Sequence, residues 1–207
     1  MKIAIDINDV LRDFTSQFKN YYIKGIDPSF EIEDDEITSF DFSEIFPFKD
    51  RNAYNMFKYV DFAFELYGRA ESMDKMLPYR FNDWTQKTLK DLDKEYIPDI
   101  MLVSPFETGK SIQSTYAFLS KISSSVREIY FPVDSSTIWD RCDILITANP
   151  NLIENVPEGK TVVKIEMPYN KNVETKYTFK SLMDVINDEN ETIIKILIGE
   201  ENGAKAE

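Results

Sequence analysis

The stretch Lys2-Ile3-Ala4-Ile5-Asp6-Ile7-Asn8-Asp9-Val10-Leu11-Arg12-Asp13-Phe14 decides how the rest of the chain is read. Lys2 to Asp6 is an apolar run that ends at an acidic turn, the pattern of a short buried strand. Val10 to Lys24 then carries Leu11, Phe14, Phe18, Tyr21 and Tyr22 at helical spacing. Strand, acidic turn and helix in that order open many α/β domains. Further along, Ile100–Val103, Val126–Phe131, Ile144–Ile146 and Thr161–Ile165 read as strands. Lys110–Ile122 and Ser181–Ile186 read as helices, with a short helical turn at Ser135–Trp139. Strands separated by helices predict a Rossmann-like α/β fold, a parallel sheet of five or more strands with helices on both faces.

Between the opening unit and this second run the alternation breaks. Glu31, Glu33, Asp34, Asp35 and Glu36 form an acidic run, followed by Phe40, Phe42, Phe46 and Phe48. The simplest reading is a solvated loop whose aromatics dock on neighbouring helices; a partner-binding loop is the alternative. Arg51–Tyr67 and Asn82–Tyr96 read as helices, the second with Asn82 as N-cap. Residues 15–78 are therefore expected to form a helical cap inserted in an α/β core of residues 1–14 and 79–207. No internal repeat or low-complexity segment is seen, and the tail ENGAKAE reads as frayed.

Composition narrows the chemistry. The 207 residues include no His and one Cys, Cys142. That excludes Ser-His-Asp and Cys-His nucleophile systems, His-bearing zinc sites and an internal disulfide. A net charge of −13 makes a nonspecific nucleic-acid or anionic-membrane partner unfavourable, while a locally positive pocket for a small phosphorylated ligand is still possible. With no apolar leader and no apolar run of membrane-spanning length, the chain reads as cytoplasmic.

In a parallel sheet, ligands bind beyond the carboxyl ends of the strands. The residues there are Asp6 to Asp9, Ser104-Pro105, Asp134 to Ser136 and Thr147 to Asn149. The first group, continued through Phe14, resembles motif I of the haloacid dehalogenase superfamily, and more narrowly the 5′(3′)-deoxyribonucleotidases, whose pattern is D-x-D-G-V-L-x-D-F. Met101-Leu102-Val103-Ser104-Pro105 resembles that family's second motif. Cys142-Asp143-Ile144-Leu145-Ile146 resembles the apolar run before its fourth motif, and Pro168-Tyr169-Asn170 its C-terminal P-Y-N.

The resemblance implies a nucleophile at Asp6, which would also touch a metal, and an acid/base position at Asn8. Phe14 falls where the family lines its base pocket, although helical periodicity makes it a core residue, and Asp6 could equally cap the next helix. The departures cluster on catalysis. Asn8 replaces the carboxylic acid whose help is worth ~10²–10⁴ in rate. Asp9 stands for a Gly, and Val103 for the phosphoryl-holding Thr, with Ser104 beside it. No Lys occurs in Val133 to Thr137, and Thr147-Ala148-Asn149 replaces the metal-binding Asp pair. The resemblance therefore implies a catalytically degenerate relative kept for binding a protein partner or a small phosphorylated ligand, with no cofactor. It also suggests a phage-encoded chain that works in the host cytoplasm or in a virion. The alternative is a magnesium-dependent nucleotide phosphatase with an atypical site, in which Asp9 or Asp134 supplies the acid.

Ser104-Pro105-Phe106-Glu107-Thr108-Gly109-Lys110-Ser111 is most of a phosphate-binding P-loop, but Ser and Pro stand where the first Gly belongs. Lys110 is kept as a candidate ligand-binding residue at the start of a helix, with a P-loop-like nucleotide binder as a second alternative.

Overall fold

The computed structural model describes residues 1–90, 92–94 and 96–199. Six strands, β1 (Lys2–Asp6), β2 (Asp99–Val103), β3 (Glu128–Tyr130), β4 (Ile144–Thr147), β5 (Thr161–Ile165) and β6 (Tyr177–Phe179), form one sheet in the order β3-β2-β1-β4-β5-β6. Every neighbouring pair is parallel. This is a Rossmann-like α/β sheet in which the strand order reverses between β1 and β4.

The period-2 alternation of β1 sorts the core into two layers. Ile3 and Ile5 face one side with Leu102, Ile144, Ile146, Val163 and Ile165. Ala4 faces the other with Met101, Val103, Leu145 and Val162. The second face is covered by the turn at Ser135–Ile138 and by Leu152 and Ile153 of helix α5 (Pro150–Glu154). Residues of the first face share one buried cluster with residues of α1 (Phe14–Gly25), α2 (Arg51–Met56), α3 (Leu77–Asp83), α4 (Lys110–Lys121), α6 (Leu182–Ile186) and α7 (Thr192–Ile198).

The aromatic segment packs against α1, whose Phe14, Phe18 and Tyr22 recur every four residues and are all buried. Phe46 lies 5.1 Å from Phe18 and from Tyr22, ring centre to ring centre, and Phe42 lies 4.9 Å from Phe18. The Phe-rich stretch is thus docked on the protein's own helix. Its acidic part forms a one-turn 3₁₀ helix at Asp34–Glu36 with no buried residue.

Several sequence expectations are corrected. The first helix starts at Phe14 and not at Val10, because Asp13 caps it by accepting from the Ser16 N–H at 3.2 Å. The helix expected over 51–67 is α2 followed by π-helical turns at Phe57–Asp61 and Phe64–Gly68. Asn82 is not an N-cap: α3 begins at Leu77 with Pro78 in its first turn, and a π turn follows at Trp84–Thr88. The Asn82 amide instead donates to the Pro78 and Ile122 carbonyls. The rest of that expected helix runs over Asp91 and Glu95, which lie outside the described residues, as does the ENGAKAE tail. Strand β6 and helices α5 and α7 were not anticipated. The boundary drawn at residue 78 falls inside α3, which packs on α6.

Candidate functional site

The strand order reverses where the last residues of β1 and β4 lie side by side, and that is where a doubly wound sheet opens a crevice. Asp6 closes β1 and Thr147 closes β4. The Thr147 hydroxyl accepts from the Asn149 N–H at 3.0 Å and donates to Asp6 Oδ2 at 2.8 Å. Asp6 is only 3% exposed, and its other oxygen, Oδ1, has no hydrogen-bond partner among the described residues. Burial is the main reason its pKa is raised to about 7; the Thr147 hydroxyl opposes the shift, Asp9 adds to it, and the backbone N–H groups of Asn8 and Ile7 oppose it. Asp6 does not cap a helix, since Asp13 takes that role.

Asn149 is likewise buried. Its Oδ1 accepts from the Asn151 N–H at 3.0 Å and caps α5, which leaves Nδ2 as a donor without a partner among the described residues. Asp6 and Asn149, each with one such buried atom, are both among the residues that line one cavity.

Asn8 is held differently. Its Oδ1 accepts from Arg12 Nε at 3.0 Å and Nη2 at 2.6 Å, which turns its amide N–H toward Ser104 Oγ at 3.4 Å. Arg12 is fully buried and also donates to the Tyr67 carbonyl (2.8 Å), Thr115 Oγ1 (2.7 Å) and Glu107 (2.8 Å). Ser104 and Thr115 hydroxyls in turn donate to Glu107 at 2.5 and 2.6 Å. A carboxylic acid at position 8 would sit against this guanidinium and be held ionised.

Asp9 has a positive φ of 55°, and its carboxylate is fully used. It accepts from the Thr15 N–H (2.8 Å), the Thr15 hydroxyl (2.7 Å) and the Tyr169 hydroxyl (2.9 Å). Burial raises its pKa against these bonds, and burial raises that of Tyr169 as well. Asp134 lies beyond β3, where it accepts from the Ser136 N–H and hydroxyl at the start of a turn. Neither aspartate is placed as a free acid in the cavity.

The cavity itself measures about 70 Å³ and is walled by Phe14, Phe40, Phe42, Tyr54 and Phe106. Pockets for drug-sized ligands run to ~300–1,000 Å³, so this space suits a small molecule. Lys58, on the π turn Phe57–Asp61, lines it too. Its Nζ lies 5.4, 5.6 and 5.1 Å from the ring centres of Phe14, Tyr54 and Tyr59. Burial lowers its pKa to about 8, against the pull of Glu107, Asp41 and Asp9.

Among the described residues no group of three or more Asp, Glu, Cys or His is placed to hold a metal. Asp6 offers one free carboxylate oxygen, and Thr147 and the Asn149 oxygen are already engaged, a donor set that does not fit a hard cation.

The structure thus gathers Asp6, Asn8 and Phe14 around one cavity, with Ser104 directly behind Asn8. It does not bring Lys110 there. Lys110 is exposed at the start of α4 and lines an outer depression with Val60, Phe64 and Gln113. The 104–111 loop does not cradle an anion: the Thr108 N–H donates to Ser111 Oγ, the Phe106 N–H to the Pro132 carbonyl, and Glu107 points inward to Arg12.

Sequence reading missed Arg12, Glu107, Lys58, Asn149 and Tyr169. The P-Y-N segment was the one available pointer to Tyr169, and the Asn that ends Thr147-Ala148-Asn149 the pointer to the cavity's free donor. A wider groove of about 850 Å³ along Glu71–Tyr79 and Lys121–Ser123 shares none of these residues.

No family model matches the chain, and no curated protein matches it. Among solved structures it is similar to one described as "Crystal Structure analysis of a Dehalogenase", at 13% identity and a TM-score of 0.46, over 88% of this chain and 94% of that one. The Rossmann-like class rests on the strand order itself.

Proposed function

We propose that this chain is a haloacid-dehalogenase-like protein, related to the 5′(3′)-deoxyribonucleotidases, that no longer performs their hydrolysis and is kept for binding at the Asp6 cavity. The observation that carries this reading is that no carboxylic acid beside Asp6, among the described residues, is free to serve a leaving group. Asn8 is bound through its carbonyl to Arg12, and Asp9 is consumed by Thr15 and Tyr169. A leaving oxygen would find no free carboxylic acid, and among the described residues no cluster of carboxylates is placed to hold a metal against a phosphoryl dianion beside Asp6 and Asp9. Lys58 is the cation at the cavity, and aromatic rings surround it. A cytoplasmic setting and the phage origin that the motif resemblance suggests belong to the same proposal.

Phosphate release from a panel of deoxynucleoside monophosphates and an aryl phosphate, with and without magnesium and beside an Asp6→Asn control, tests it. We expect the two proteins to be indistinguishable. Magnesium-dependent turnover that the control abolishes would overturn the reading.

A further inference from the structure

We propose that Lys58 is a nucleophilic amine that takes a small acyl group from a thioester. The inference goes beyond the binding role proposed above and does not depend on it. Its ground is the placing of the amine. Lys58 Nζ is surrounded by the rings of Phe14, Tyr54 and Tyr59, with ring centres 5.4, 5.6 and 5.1 Å away. Among the described residues it makes no hydrogen bond and no ion pair. By contrast, Lys2, Lys19, Lys121 and Lys160 each rest on a carboxylate, and the buried Lys164 on two carbonyls. The amine is nevertheless within reach of solvent. Three described side-chain atoms are sealed off without a hydrogen-bond partner, namely Asp6 Oδ1, Trp139 Nε1 and Asn149 Nδ2, and Lys58 Nζ is not one of them.

The charges that face Lys58 are engaged elsewhere. Glu107 is held by Arg12 at 2.8 Å, and Asp41 by Arg51 at 2.6 Å. Asp9 accepts from Thr15 and Tyr169, and Asp6 gives one oxygen to Thr147 while its other is sealed off. Burial raises the pKa of the Tyr54 and Tyr59 hydroxyls, so both rings stay neutral. An ammonium among carbon rings without a counter-ion is costly, and the neutral amine is not. Burial therefore lowers the pKa of Lys58 to about 8; Glu107, Asp41 and Asp9 oppose the shift, and Arg51 adds to it. About half of the Lys58 side chains are then free amine at pH 8, against roughly 1% or less of an ordinary lysine. Desolvation in an apolar setting is one of the ways in which a lysine becomes a nucleophile.

The step balances without an oxidant or a reductant. The Nζ lone pair adds to the thioester carbonyl carbon and forms the C–N bond. Collapse of the adduct breaks the C–S bond, sulfur leaves with the electron pair, and the proton released by nitrogen passes to the thiolate. The product is a neutral amide. Lys58, Phe14 and Tyr54 all line the Asp6 cavity, and Lys58 is the one cationic residue among those that do. Acylation would thus remove the cation from a site that keeps Asp6 and Asp9. A half-buried amine beside a space of about 70 Å³ favours an acetyl-sized group over a long chain.

Incubation of the full chain with the acetyl thioester of N-acetylcysteamine from pH 6.5 to 9.5, read lysine by lysine by peptide mass spectrometry, tests the assignment. At pH 8 we expect Lys58 to be acetylated about tenfold faster than the exposed Lys110, the rest of the free-amine advantage being lost to restricted access. The Lys58 rate should level off above about pH 8, while that of Lys110 keeps climbing. Tyr59→Ser removes one ring and admits water, so the plateau should move to higher pH and the advantage over Lys110 shrink about threefold. Labelling of Lys58 no faster than that of Lys110, or a Lys58 rate still climbing at pH 9.5, would overturn the proposal. So would a folded Tyr59→Ser protein with an unchanged plateau and rate. The native chain alone supplies the first two outcomes, so the proposal can fail even where the variant does not fold. Magnesium-dependent turnover, which tests the binding role, is a separate result.

Discussion

Two polar groups lie within a few residues of each other at the end of β1, and they are built on opposite principles. Around Arg12, Glu107, Ser104, Thr115 and Asn8, charges are buried as deeply as the apolar core, and the guanidinium's N–H groups reach carbonyls, a hydroxyl and a carboxylate. Around Asp6 and Asn149, burial is as deep, but an oxygen and a nitrogen are left without a hydrogen-bond partner among the described residues. A closed network serves the fold, since each member is satisfied by another part of the chain. An open one destabilises the fold and is complete only when something else supplies the missing bonds. The contrast separates architecture from site more sharply than residue type does, because both groups contain an Asn and a carboxylate.

The largest effect should come from breaking the closed group. Arg12→Met leaves Glu107 buried without its cation and should cost about 3–5 kcal/mol in urea unfolding. The double variant Arg12→Met with Glu107→Leu should recover most of that loss, because it removes the second charge as well. A single variant with near-native stability would show that the pair is solvated and that the contrast fails.

The open group should respond in the opposite direction. The pKa of Asp6 is raised from 3.8 to about 7, so the folded protein holds a proton that the unfolded chain releases between those values. Stability of the native protein relative to Asp6→Asn should therefore fall as pH climbs from about 4 to 7 and stay low above it. The full difference is up to about 4 kcal/mol, read as the gap between two unfolding curves at pH 8 and pH 4. A stability relative to Asp6→Asn that rises with pH would mean that Asp6 gains from being charged.

Lys58 sharpens the comparison from the cap side. Its pKa is lowered to about 8, so the unfolded chain binds more protons than the native one between about pH 8 and 10.5. The native protein should gain stability over Lys58→Met across that window. The gain should be about 1 kcal/mol, since Lys58 is only half-buried and water screens it. The smallest effect is expected at Lys110→Ala, outside both groups: roughly 0.5 kcal/mol or less in thermal unfolding.

What could be read from the sequence follows from where each signal is local. The buried central strands β1, β2, β4 and β5 announce themselves as apolar runs between polar turns. Strand β6 is a three-residue edge strand whose residues are partly or fully exposed, so it carries no such run. The Phe-rich stretch could be assigned to packing because aromatics at that density must cover something. The π turns at 57–61, 64–68 and 84–88 have no sequence signature that separates them from ordinary helix.

At the site, Asp6, Asn8 and Phe14 were legible because strand, turn and helix place them in one short segment. Arg12 was not, since an arginine in an amphipathic stretch looks solvated until Glu107, 95 residues away, is brought beneath it. Lys58 and Tyr169 reach the cavity only through the docking of distant segments. Lys110 sits beside a strand end in sequence, but Glu107 takes the inward direction and leaves the lysine on the surface.

The most direct test of the central claim, that Asp6 is a buried carboxyl outside any metal site, is a carbon NMR titration of its side-chain carboxyl with and without millimolar magnesium. A midpoint near pH 7 that magnesium leaves in place is the predicted result. A midpoint near 4 would show an ordinary carboxylate that burial does not perturb, and one that magnesium drives sharply downward would show a working metal site; either would contradict the account.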